Sequence, residues 1–182
     1  MNLIKVIYQY RILSISLLFF FSNNLKSQVS IREFTEDLKT YEFSDPNPIP
    51  IFISNPKIYP YFTFDGYSIE SKSKKFKVIE LENNYIKVLI TPELGGKVWG
   101  AIDKTSGEEF IYKNEVVKFR NISMRGPWTS GGIEFNFGII GHHPSTATPV
   151  DYKIRKNADG SISCFVGNID LPSRSQWRVE II

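Results

Sequence analysis

From Phe76 onward the chain is written in short segments of alternating apolar and polar residues, each closed by a turn signal. That alternation is the period of a half-buried strand, not of a helix. Residues 77–81 form one such segment, and Asn83-Asn84 turns it. Residues 85–91 then place Ile86, Val88 and Ile90 on one face. A tight corner follows at 92–96, a strand at 97–103, a turn over Asp103-Lys104-Thr105-Ser106-Gly107, and a resumption at 110–112. Segments 151–156 and 161–168 bracket Asn157-Ala158-Asp159-Gly160, a hairpin signal because Asp-Gly tolerates positive φ. Residues 176–182 read as a further strand. No long amphipathic helical pattern occurs after residue 45, and there is no internal repeat. The class expected is all-β, an antiparallel sandwich.

The first segment has a different character. Lys5 and Arg11 precede an apolar run at 12–21, softened by Ser14 and Ser16 and followed by Ser22, Asn23, Asn24, Lys26 and Ser27. A run of this length is short for a bilayer core of roughly 30 Å but suits a signal peptide. We expect residues 1–27 to be removed on export to the periplasm or the exterior, leaving no stable membrane span; an uncleaved short anchor is the alternative. Residues 28–60 are expected to form a lead-in. Residues 31–41 read either as one helix or as an extended edge strand. Pro46, Pro48, Pro50, Pro56 and Pro60 then favour extended chain. Phe52, Tyr59, Tyr61, Phe62 and Phe64 indicate that this stretch packs on something.

The net charge of +3 carries no basic block, so no nucleic-acid partner is expected. Lys72, Lys74 and Lys75 stand among serines and read as a solvated loop. Cys164 is the single cysteine and has no intrachain partner; between Ser163 and Phe165 it reads as a small buried hydrophobe. The final run Trp177-Arg178-Val179-Glu180-Ile181-Ile182 has no following turn. An unpaired apolar strand invites aggregation, so residues 61–182 are expected to be the front part of a truncated sandwich domain.

Chemistry concentrates in the middle of the chain. Trp128-Thr129-Ser130-Gly131-Gly132-Ile133-Glu134-Phe135-Asn136 is followed by Gly141-His142-His143-Pro144, which holds both histidines. Glycines admit close backbone approach. Aromatic walls with a carboxylate, an amide and imidazoles are what sugar recognition asks for, since flat apolar faces stack on C–H surfaces and polar groups meet hydroxyls. Imidazole and carboxylate also exchange protons near neutral pH. The plainer reading is that Glu134 pairs with Arg125 or Lys97 and the histidines cap a loop. The spacing of Glu134, His142 and His143 matches no standard ligand pattern, so no metal and no cofactor is expected.

Several separated blocks resemble one family in order. Leu81-Glu82-Asn83-Asn84-Tyr85-Ile86-Lys87-Val88 and Thr91-Pro92-Glu93-Leu94-Gly95-Gly96-Lys97-Val98-Trp99 are similar to the opening strands of galactose-mutarotase-like β-supersandwich domains. More closely, the chain resembles the bacterial family DUF5107. That likeness covers the turn from Asp103 to Gly107, the block from Trp128 to Asn136, the pair His142-His143, the hairpin at Asp159-Gly160 and the stretch from Arg174 to Trp177. The resemblance runs from about Ile58 to the end. It implies an incomplete galactose-mutarotase-like supersandwich and a glycan or sugar ligand, with the reaction open. In mutarotases a histidine protonates the ring oxygen and a late glutamate takes the anomeric proton. His142 or His143 matches the first part, and the late glutamate has no counterpart in this chain. Family members often continue into helical repeats, which the resemblance implies for the complete protein.

The expectation for function is an exported carbohydrate-active domain, performing glycan hydrolysis or transfer, or sugar epimerisation. Glu134, His142 and His143 would be catalytic; Trp99, Arg125, Trp128 and Asn136 would bind substrate. The alternative is a non-catalytic carbohydrate-binding or structural domain.

Overall fold

The computed structural model describes residues 28–55, 60–64, 66–122, 126–136, 142 and 145–182. The expected signal peptide lies outside the described residues. Ten strands follow in chain order: β1 (Ser30–Tyr41), β2 (Lys72–Glu82), β3 (Ile86–Thr91), β4 (Lys97–Asp103), β5 (Glu109–Ile111), β6 (Val116–Ile122), β7 (Gly126–Thr129), β8 (Asp151–Lys156), β9 (Ile162–Asp170) and β10 (Ser175–Ile181). A short 3-10 turn, Pro92–Leu94, makes the corner between β3 and β4. Seven strands form one sheet in the order β5-β4-β3-β2-β1-β6-β7, and three form a second in the order β10-β9-β8. The all-β sandwich class expected from the alternation is the class observed. The large sheet is mixed, because β1 pairs parallel with β6 through Lys39↔Val116 to Tyr41↔Lys118.

Alternation explains how the large sheet buries both faces. In β2, Phe76 and Val78 enter one core with Leu89, Trp99, Val117 and Phe119. Their neighbours Ile79 and Leu81 point the other way, into a core with Ile90, Val98, Ile162, Cys164, Val166 and Trp177. The second core joins the two sheets, and the first fills the opposite face. A strand with both faces buried sits in the middle of its layer, which fixes β2, β3 and β4 as the structural centre.

Three elements refine or depart from expectation. Residues 31–41 are a strand and not a helix. β1 pairs antiparallel with β2 from Ser30↔Glu82 to Thr40↔Lys72, and only its last three residues, Lys39 to Tyr41, gain a second neighbour in β6. Its charged residues hid this because their partners lie far along the chain: Arg32 donates two bonds to Glu80 at 2.7 and 3.1 Å. Lys72, Lys74 and Lys75 are solvated, as expected, but on β2 and not in a loop. β6 and β7 were not anticipated. β7 is the free edge of the sheet, where Pro127 costs no ladder bond.

After β1, the bridges Phe43↔Tyr67, Pro46↔Phe64 and Ile51↔Tyr61 join the end of the lead-in to the residues that follow it. Tyr61 and Phe64 are buried, so this stretch packs on the sandwich as its aromatics required. The hairpin at Asn157 closes β8 onto β9, with the Gly160 N–H donating to Asn157 O at 3.1 Å. Cys164 is a buried free thiol, 0 % exposed, and burial pushes its pKa up to about 11.

Candidate functional site

The segment after β7 is pinned to β4 by an isolated bridge. The Ile133 N–H donates to Val98 O at 2.8 Å and the Val98 N–H to Ile133 O at 3.1 Å. This approach needs glycine beforehand. Gly132 has φ +69°, and a Cβ there would stand 2.0 Å from Val98 O. Glu134 therefore leaves the sheet beside β4, the strand that carries Lys97 and Trp99.

Glu134 is 12 % exposed at its side chain and meets His142, which is 40 % exposed. His142 Nδ1 lies 2.8 Å from Glu134 Oε1, so the imidazole N–H donates to the carboxylate. His142 holds a left-handed backbone, φ 49°, a conformation that costs a non-glycine residue free energy and is retained where neighbours enforce it. The Trp128 and His142 rings meet edge to face, centroids 5.8 Å apart at 79°. Glu134 Oε2 is buried with no hydrogen-bond partner among the described residues.

Behind this pair sits Lys97, 1 % exposed. Its ammonium donates to Thr129 O at 2.9 Å and Thr129 Oγ1 at 3.2 Å, tying β4 to β7. Burial pushes its pKa down to about 8, while the Glu134 carboxylate pulls the other way. Lys97 and Glu134 do not close to an ion pair, so the plainer reading of Glu134 as the Lys97 salt-bridge partner holds only as attraction at a distance.

The structure thus brings together Trp128, Glu134 and His142. Trp99 is corrected: it is 0 % exposed in the core and presents nothing to a ligand. It alternates with Val98 on a strand buried on both faces, a placement that an aromatic in a short apolar run does not reveal. Asn136 is exposed two residues beyond Glu134. Arg125 and His143 lie outside the described residues. Lys97 was considered only as a charge partner; the available signal was a lone cation between Gly95-Gly96 and Val98-Trp99, inside an otherwise apolar strand. Among the described residues, no group of three or more His, Cys, Asp and Glu side chains gathers as metal ligands. No helix among them is long and apolar enough to cross a membrane.

Two packed sheets with a half-buried imidazole–carboxylate pair beside an aromatic ring define a β-sandwich domain. Residues 54–182 match the family described as Domain of unknown function (DUF5107), and the chain belongs to that family. It is also similar to a crystal structure of a TPR-domain containing protein from Parabacteroides distasonis ATCC 8503, with 31 % identity and a TM-score of 0.73. That match covers 85 % of this chain and 27 % of the other, so this chain spans about a quarter of the length of that protein.

Proposed function

We propose that this chain is the glycan-handling domain of an exported carbohydrate-active protein, with a mutarotase-like site. The observation that carries the reading is the 2.8 Å contact between His142 Nδ1 and Glu134 Oε1. A carboxylate on Nδ1 fixes the imidazole's tautomer and orientation, leaving Nε2 as the nitrogen that gives or takes a proton at a ligand. Glu134 acts through His142 and is a positioning residue, since one oxygen is engaged and the other is buried. Trp128 supplies an apolar edge for sugar C–H surfaces. Export rests on Lys5, Arg11 and the apolar run at 12–21.

A single imidazole dyad suits proton transfer at a sugar ring, the chemistry of epimerisation. Glycosidic hydrolysis ordinarily uses a pair of carboxylates flanking the bond, and the second would come from elsewhere in a longer protein, one that continues into helical repeats. Non-catalytic glycan binding is the second reading, favoured by the burial of Glu134 Oε2, which leaves one exposed titratable group, His142, at the pair.

The test is anomer interconversion of freshly dissolved aldoses, and a glycan-array screen, with the full chain. Epimerisation that is lost in His142→Gln supports the catalytic reading. Glycan retention with no turnover, lost in Trp128→Ala, supports binding. The absence of both turnover and retention would refute a carbohydrate role.

A further inference from the structure

Away from the His142–Glu134 pair, a cavity of about 520 Å3 opens where residues 42–46 and Phe64 meet the sandwich. That volume lies in the range of small-ligand sites. Phe43, Phe64, Phe76 and Phe119 contribute its aromatic lining. Phe43 stands near right angles to two of the others: its centroid is 4.7 Å from that of Phe64 at 82° and 4.3 Å from that of Phe119 at 72°. Perpendicular rings make the corner of an aromatic box, a geometry that presents both edges and faces.

The polar part of the lining is mainly acidic. Glu42, Asp45 and Glu93 carry carboxylates, against one ammonium, that of Lys74. Lys72 pairs with Glu42 at 2.5 Å, which still leaves acids in excess. The Glu93 carboxylate accepts the Lys77 backbone N–H at 3.1 Å, a neutral donor that leaves its charge in place. The Lys77 ammonium bonds Tyr152 and lies 3.8 Å from Glu33, and it attracts Glu93 only at longer range. Asp45 is exposed at the rim and has no ion pair among the described residues. The protein already seats one cation on this lining, because the Lys74 ammonium lies 5.3 Å from the Phe76 ring centroid.

We propose that this cavity binds an organic cation, a ligand whose ammonium or quaternary ammonium group lies against the phenylalanine box and faces Asp45 and Glu93. Aromatic rings attract a cation through their quadrupole, and more strongly where water is thinned. Carboxylates at the rim add attraction for the same sign and repel an anion. A neutral ligand of equal shape keeps the apolar contact and loses both electrostatic contributions.

Choline chloride and 3,3-dimethyl-1-butanol share a shape and differ in charge, so titrating each into the isotope-labelled full chain isolates that difference. Choline is expected to shift the backbone amides of Ser44, Asp45 and Thr148 saturably, and the alcohol to bind about tenfold more weakly. Asp45→Asn and Glu93→Gln should each weaken choline severalfold; Asp45 is exposed, so its variant folds. Equal affinity for the two probes, no saturable shift with choline, or shifts confined to other residues would each overturn the proposal. Because none of these signals depends on Trp128, Glu134 or His142, the outcome is independent of the carbohydrate reading.

Discussion

His142 and Glu134, eight residues apart in the chain, are joined by an Nδ1–Oε1 hydrogen bond of 2.8 Å, with His142 in a left-handed backbone conformation. The bond orients the imidazole, and a left-handed backbone costs a non-glycine residue free energy.

If His142 moves the proton and Glu134 aims it, as proposed, losing the ring should cost more than losing the carboxylate. In whichever sugar turnover the full chain shows, His142→Gln should lose about 10² to 10⁴ in rate. Glu134→Gln should lose less, with its circular dichroism unchanged. Equal turnover in His142→Gln and the parent would remove His142 from the chemistry.

Lys97 should leave a signature in stability against pH. Its folded pKa is about 8 against an ordinary 10.5. Between those values the unfolded chain binds more protons, so this group makes stability rise with pH. Cys164 acts oppositely: its folded pKa is about 11 against 9, and stability falls with rising pH between them. Lys97 is therefore the one of the two acting between pH 8 and 9. Urea unfolding of the parent and of Lys97→Met from pH 7.5 to 10.5 separates them. The parent should gain on the variant as pH rises, by about 3 kcal/mol at most over the full window. Parallel curves would mean that the buried amine does not titrate there.

Gly132→Ala should loosen the site by backbone collision. The added Cβ would stand 2.0 Å from Val98 O at φ +69°, so the Val98–Ile133 bridge must open. A loss of about 1–3 kcal/mol is expected from the strained conformation alone, read as a lower midpoint in thermal unfolding. Gly160→Ala has open space around its Cβ and shares only the positive φ, so it should cost less.

The Cys164 thiol should resist an aromatic disulfide reagent in the folded protein. Burial both shields the sulfur and raises its pKa, and the thiolate is the reacting form. The labelling rate should track unfolding as urea is added. Rapid labelling in native buffer would place Cys164 outside the core.

Much of the sandwich was legible because strand alternation is local. Lys97–Asp103 and Asp151–Lys156 stand where the pattern put them. The Asp159-Gly160 hairpin and the burial of Cys164 follow equally from neighbours within a few residues. Residues 128–136 were marked as chemical by their own composition, and Glu134 and His142 do converge.

Tertiary structure decided what depends on distant partners. β1 became a sheet strand because β2 supplies Glu80 to Arg32 and a full antiparallel ladder, while β6 joins the other side of its last three residues. Trp99 and Trp128 are both tryptophans in strands, yet one is sealed in the core and the other stands beside His142. Lys97 carries a perturbed amine because β4, β7 and the Glu134 segment close over it. Alternation tells which residues share a face. Whether that face meets a core, a cavity or solvent is set by the layer packed against it, and those layers are assembled from strands far apart in the chain.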